Sequence, residues 1–229
     1  MCGRYTLRAD AEAIQLAFNL EEVDGWTVPR FNIAPTQQVA VISDSDPKIL
    51  SFMKWGLAPS WAKDSKIGSR MINARSETAA EKPSFRTAFK RRRCLIPADG
   101  YYEWAKQGNR KIPMYIRHAE RELFAFAGLW ESWKQPDGTW LQTCAILTTE
   151  ANDKVRPIHH RMAVIIEPED YDTWLAPREL LPPEWQPLMA GPGPEQLSFH
   201  EVSTRVNSPA NDNPTLVAPL ESAAQQRLL

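Results

Sequence analysis

The sequence has no run of 18 apolar residues, so no segment reads as a membrane-spanning helix. Its opening stretch, MCGRYTLRADAEAI, lacks an apolar signal core, and we expect a cytoplasmic protein. Cysteine is scarce. Cys2, Cys94 and Cys144 are far apart and form no CxxC pair, so neither a disulfide framework nor a zinc knuckle is indicated. Free thiols in a reducing compartment fit better. There is no internal repeat and no low-complexity tract. Net charge is also nearly absent, at −1, which by itself gives no sign of a polyanionic partner. The distribution says more. Lys54 to Arg93 holds eleven basic and three acidic residues, whereas Val164 to the end holds three basic and ten acidic. A basic segment on a near-neutral chain has the form of an electrostatic footprint on phosphates. A solvated basic face explains it equally well.

What is present suits one sizeable core, in one domain or two small ones, since 43% of the 229 residues are hydrophobic. The 19 prolines are spread along the chain, favouring many short elements joined by turns. Strand-like runs recur at Val39–Ile42, Ile49–Trp55, Cys94–Pro97, Tyr101–Trp104, Met114–Ile116, Leu123–Leu129, Thr143–Thr148 and Ala163–Ile166. Turn signals such as Asp99-Gly100, Gly108-Asn109 and Asp137-Gly138 bound them. Asp10 is placed to cap a helix over Ala11–Phe18, Ser84 to open one running to about Arg91, and Glu169–Leu175 follows Pro168 as a third. Short strands and helices without βαβ alternation indicate an α+β fold around a curved or barrel-like sheet. Periodicity fades after Pro209, and residues 211–229 read as a disordered tail.

Five constellations are able to carry chemistry. Removal of Met1 would leave Cys2 with an α-amine and a thiol on adjacent carbons, a 1,2-aminothiol. Both groups have a reactive fraction near neutral pH. With an aldehyde, the amine forms an imine and the thiol closes a five-membered thiazolidine. Taken alone, Cys2 reads more simply as an incidental small residue. Glu103 sits among bulky aromatics in Asp99-Gly100-Tyr101-Tyr102-Glu103-Trp104, an environment that raises a carboxyl pKa and suits acid–base work. A structural pairing with arginine on the outer face explains the motif equally well. His159 and His160 precede an apolar run, and histidine is the usual proton shuttle at neutral pH. As strand neighbours they make a weak metal signal. Asn73 and Arg75 alternate on an extended segment before Ser76, supplying a neutral donor–acceptor and a phosphate fork, unless Ser76 simply caps a helix. Trp55 and Trp61, with Arg30 to Pro35, offer aromatics beside cations for stacking bases. With nine tryptophans in the chain, most must be core.

Their joint order is more telling. Met1-Cys2-Gly3-Arg4, Arg30-Phe31-Asn32-Ile33-Ala34-Pro35, Trp55-Gly56-Leu57-Ala58-Pro59, Ile72-Asn73-Ala74-Arg75-Ser76-Glu77-Thr78, Arg93 to Trp104 and Ile158-His159-His160-Arg161-Met162 follow one another. This series resembles the SOS response-associated peptidase (SRAP) family over about residues 2–210. The resemblance implies a single α+β domain over residues 1–210 with a barrel-like mixed sheet flanked by short helices. It also implies a groove for single-stranded DNA and a covalent crosslink that shields abasic sites during replication. By position, Cys2 is the crosslinking residue, with Asn73, Glu103 and His159 around it. Arg4, Asn32, Pro35, Trp55, Trp61, Arg75, Thr148 and Arg161 are the expected DNA-binding residues. The partner is abasic single-stranded DNA, including fork junctions, met by a monomer associated with the nucleoid when bound. No cofactor, metal or membrane is involved. The family commonly has aspartate at the position of His160 and proline at that of Ala163. We expect tuning from these changes and no loss of function.

In the implied reaction Glu103 assists opening of the sugar hemiacetal, the Cys2 amine attacks C1′, Asn73 orients the imine and His159 moves protons on the sugar oxygen. Three alternatives stand beside it: a thiol autopeptidase acting on the Met1 bond or another substrate, a non-covalent single-strand binding module, and a β-lyase.

Overall fold

The computed structural model describes residues 2–23, 25 and 28–220. Met1 and residues 221–229, the end of the expected tail, lie outside the described residues. In chain order the elements are β1 (Tyr5–Leu7), α1 (Ala11–Phe18), β2 (Arg30–Ile33), β3 (Gln38–Ser43), β4 (Asp46–Trp55), β5 (Asn73–Arg75), α2 (Ser76–Ala79), α3 (Arg86–Arg91) and β6 (Arg93–Ala98). Then come β7 (Gly100–Gln107), β8 (Arg110–His118), β9 (Phe124–Lys134), β10 (Trp140–Glu150), β11 (Arg161–Ala163), β12 (Ile165–Ile166), α4 (Tyr171–Trp174), α5 (Pro182–Trp185) and β13 (Leu197–Glu201). No helix among the described residues is long and apolar enough to cross a membrane.

The strongest apolar runs close a barrel. β10 pairs in parallel with β4, and antiparallel pairings run from β4 to β3, β6 and β9 and back to β10. Closure removes the unpaired edges that such apolar strands would otherwise expose. β5 and β11 extend the sheet along β10, and β12 along β9. β6 is buried along its whole length, because α3 and α4 pack against it as well. The mixed α+β barrel read from the sequence is therefore the observed core.

A second, antiparallel sheet, ordered β13-β8-β7-β1-β2, was not foreseen. One face meets the barrel, where Tyr5 and Tyr101 stand edge-on to Phe126. The other face buries Tyr102 and Tyr115 under Val202, Val206 and Leu216. Gly100 is required here, since a Cβ would lie 2.2 Å from the Tyr115 hydroxyl. That hydroxyl joins Thr6, whose own hydroxyl donates to Asp99 at 2.5 Å.

Several expectations change. Asp10 does cap α1, accepting from the Ala13 N–H at 2.9 Å. Ser84 does not open α3; Phe85 is its cap residue and no side chain bonds there. Residues 168–175 divide into a 3-10 turn, Pro168–Asp170, and α4. The tail is packed as far as residue 220: Leu216 is buried, Asp212 pairs with Arg30 at 2.6 Å, and the Leu220 N–H donates to the Glu201 carbonyl at 3.0 Å. The basic run ending at Arg93 is not a uniform face. Arg93 is fully buried, donating to the carbonyls of Phe89, Lys90, Trp174, Ala176 and Arg178. Arg92 pairs with Glu131 and Lys90 with Glu179.

Candidate active site at residue 2

Cys2 leads directly into β1 and is wholly buried. The Tyr102 N–H donates to the Arg4 carbonyl at 2.9 Å, carrying the β1–β7 ladder past the strand end. Extending the Tyr5–Tyr101 register by two residues sets Gly3 opposite Glu103. Residue 2 is thereby fixed by sheet geometry beside a buried carboxyl.

Asn73 reaches the same residue from the barrel. Its Nδ2 donates to the Cys2 carbonyl at 2.8 Å. β5 is held in place on both sides: Ile146 N–H and Trp55 Nε1 both donate to the Ile72 carbonyl, at 3.0 and 2.9 Å. Trp55 is fully buried and packs edge-on against Tyr5. Its work is to seat Asn73, and it offers no face to a nucleic acid base. Gly56 and Gly68 make this possible, because a Cβ on either would lie within 2.6 Å of the other's carbonyl oxygen.

His159 arrives on a turn. Asn152 Oδ1 accepts from the N–H groups of Lys154 and Val155, at 3.1 and 3.0 Å, and the His159 N–H donates to the Val155 carbonyl. His159 Nδ1 accepts from the Arg161 N–H at 3.0 Å. The same Nδ1 lies 3.1 Å from the Arg161 carbonyl oxygen, so the tautomer decides whether it accepts from the one or donates to the other. The His160 ring stacks on it with centroids 4.4 Å apart.

Burial pushes the Glu103 carboxyl up, with the positive amino terminus opposing. Burial likewise pushes the Cys2 thiol up strongly, and the Glu103 charge adds to this. Burial lowers His159, reinforced by the amino-terminal charge. Burial thus disfavours the charged form of all three groups. Glu103 and His159 line one open cleft of about 720 Å³, together with Trp104, Lys106, Lys111 and Arg156. Among the described residues no three His, Cys, Asp or Glu side chains converge as ligands for an ion.

The residues expected to meet DNA separate into two groups. Trp61 is 58% exposed and Arg75 is exposed, so both present a surface. Pro35 is half-buried. Asn32, Trp55 and Thr148 are 0% exposed and have no surface to offer. Asn32 instead ties β2 to the chain beyond β13, donating to the carbonyls of Ser208 and Asn211. Arg4 is half-buried and committed to Asn32 Oδ1 and the Val206 carbonyl, both at 2.7 Å. Arg161 is buried too, paired with Glu77 through two bonds of 2.6 and 2.9 Å and donating to the Thr148 carbonyl at 2.5 Å. Burial alone would raise the Glu77 carboxyl, but Arg161 holds it below the usual range.

Lys106, Lys111 and Arg156 were missed in the sequence, although one signal was there. The Gly108-Asn109 turn pairs Lys106 directly with Lys111. Like charges opposite one another are unfavourable in a sheet, and with Arg156 they make one wall of the cleft positive.

The SOS response associated peptidase (SRAP) family model matches residues 1–209. Abasic site processing protein YoqW of Bacillus subtilis is 43% identical over 95% of this chain and 99% of its own length. Abasic site processing protein HMCES of Gallus gallus is 36% identical over 96% of this chain and 78% of its own. A crystal structure of a Bacteroides thetaiotaomicron protein superposes with a TM-score of 0.84 at 25% identity, covering 96% of this chain and all of that one. The chain belongs to the SOS response associated peptidase (SRAP) family.

Proposed function

We propose that the protein processes abasic sites in single-stranded DNA by covalent capture, forming a thiazolidine between Cys2 and the open-chain aldehyde. The observation that carries this reading is the 2.8 Å bond from Asn73 to the Cys2 carbonyl, beside the buried Glu103 carboxyl. The abasic-site processing relatives supply the substrate class.

In this reading Met1 is removed and the new α-amine belongs to Cys2. Glu103, favoured as the neutral acid by burial, protonates the ring oxygen as the hemiacetal opens. The amine adds to C1′ and water leaves, giving the imine. Asn73 holds residue 2 in line for attack. His159, neutral, shuttles the proton on the released sugar oxygen. The thiol then adds to the imine carbon, and the strand is protected from β-elimination. Lys106, Lys111 and Arg156 grip phosphates flanking the lesion, and Trp61 stacks on a base beyond them.

The test is a denaturing gel of protein incubated with abasic single-stranded DNA. A shifted band should form with the native chain and be absent with Cys2→Ala. A band that survives this change refutes the reading.

A further inference from the structure

Two tyrosine hydroxyls in the core cluster that holds Cys2 have no role in the scheme above. Tyr5 and Tyr101 are directly paired across β1 and β7. Their rings therefore leave the sheet on the same face, which is also the face of Glu103 two residues along β7. Both residues are wholly buried, wedged edge-on against Phe126. Neither hydroxyl has a hydrogen-bond partner among the described residues, and neither does the buried Oδ1 of Asn73. Buried polar groups in a native fold are normally paired, and phenylalanine at either position would avoid the desolvation cost. Burial keeps both phenols protonated, and a negative charge on Cys144 or Cys2 for Tyr5, or on Cys2 or Glu103 for Tyr101, would add to this. They are consequently neutral donors in the same buried core cluster as Cys2.

We propose that the Tyr101 and Tyr5 hydroxyls donate hydrogen bonds to the Cys2 sulfur as it takes on negative charge during ring closure. This rests on the covalent reading above. In the closing step the thiol proton passes to the Glu103 carboxylate left after ring opening. The sulfur electron pair forms the bond to C1′, the C=N π pair becomes a nitrogen lone pair, and nitrogen takes up a proton. No atom leaves. A fully desolvated sulfur needs donors fixed in advance for this step, as an oxyanion does.

The experiment uses Tyr101→Phe and Tyr5→Phe with abasic single-stranded DNA. Cyanoborohydride traps the imine, whereas iodoacetamide alkylates the open thiol and spares the closed ring. We expect imine trapping within about twofold of the native rate and ring closure slowed roughly tenfold for Tyr101→Phe, below the 10²–10³ typical of an oxyanion donor because sulfur is the weaker acceptor. The melting temperature should be equal or higher in both variants. Closure within twofold of native in both variants overturns the proposal. So does slower closure matched by equally slower imine trapping or by a lower melting temperature in both, which marks a structural role. Absence of any adduct with the native chain refutes the covalent reading itself and is recognised separately.

Discussion

Replacing Arg161 by alanine separates two roles for this residue, a phosphate contact or an internal brace. The guanidinium is 8% exposed and makes two bonds to Glu77, which is 45% exposed. That half-open pair is screened by water and contributes about 0–1 kcal/mol. The bond to the Thr148 carbonyl is buried, and leaving a buried acceptor short of its donor costs about 1–3 kcal/mol. With the lost packing of the stem, the sum is about 3 kcal/mol. For a chain of this size that lowers the melting temperature by roughly 6–12 °C. Thermal unfolding of Arg161→Ala checks it, and Glu77→Gln with the double variant isolates the pair, whose coupling should be about 1 kcal/mol. The salt dependence of single-strand binding should keep its slope. A melting temperature within 2 °C of native, with a slope reduced by about one phosphate, would refute the brace and make Arg161 a DNA contact.

Other consequences are local. Thr36 is an exposed β-branched residue at φ 74, in the left-handed region. Asparagine tolerates that conformation, so Thr36→Asn should gain about 1 kcal/mol, read as a melting temperature roughly 2–4 °C higher. Trp55→Phe removes the Nε1 bond to Ile72 while the Ile146 N–H still serves that carbonyl. It should cost about 1–2 kcal/mol in urea unfolding and slow adduct formation through Asn73. His160→Asp places a negative charge on the stacked neighbour of His159 and raises the His159 pKa. Burial holds that pKa below the ordinary value, so native activity that needs neutral His159 is retained below pH 6.5 and lost only as pH falls through the lowered pKa. The variant should lose adduct rate at a higher pH than the native chain, visible in a rate profile between pH 5 and 8.

The barrel was legible because its strands are long apolar runs bounded by turns: Val39–Ile42 and Cys94–Pro97 fall within observed strands, and Leu123–Leu129 does so from Phe124 onward. β1, β2 and β13 were not, because segments of three to five residues carry too little alternation to register. The motif order brought forward Cys2, Asn73, Glu103 and His159. What it left open was which polar residues work inside the protein. Arg4, Asn32 and Arg161 read as free donors in one dimension. Each is spent on partners 13 to 202 residues away, which no local pattern reveals. Arg93 is the clearest case: it closes a basic run yet is enclosed by carbonyls from Phe89–Lys90 and Trp174–Arg178. The pairing of Tyr5 with Tyr101, whose hydroxyls have no partner among the described residues, likewise arises from strand register, which the sequence does not state.

The central claim is covalent chemistry at residue 2, and mass spectrometry of the amino-terminal peptide tests it most directly. After incubation with abasic single-stranded DNA and nuclease digestion, the peptide should begin at Cys2 and carry the sugar remnant less one water. Its thiol should resist iodoacetamide. A peptide still starting at Met1, an unmodified Cys2 or a strand cleaved at the abasic site would contradict the account.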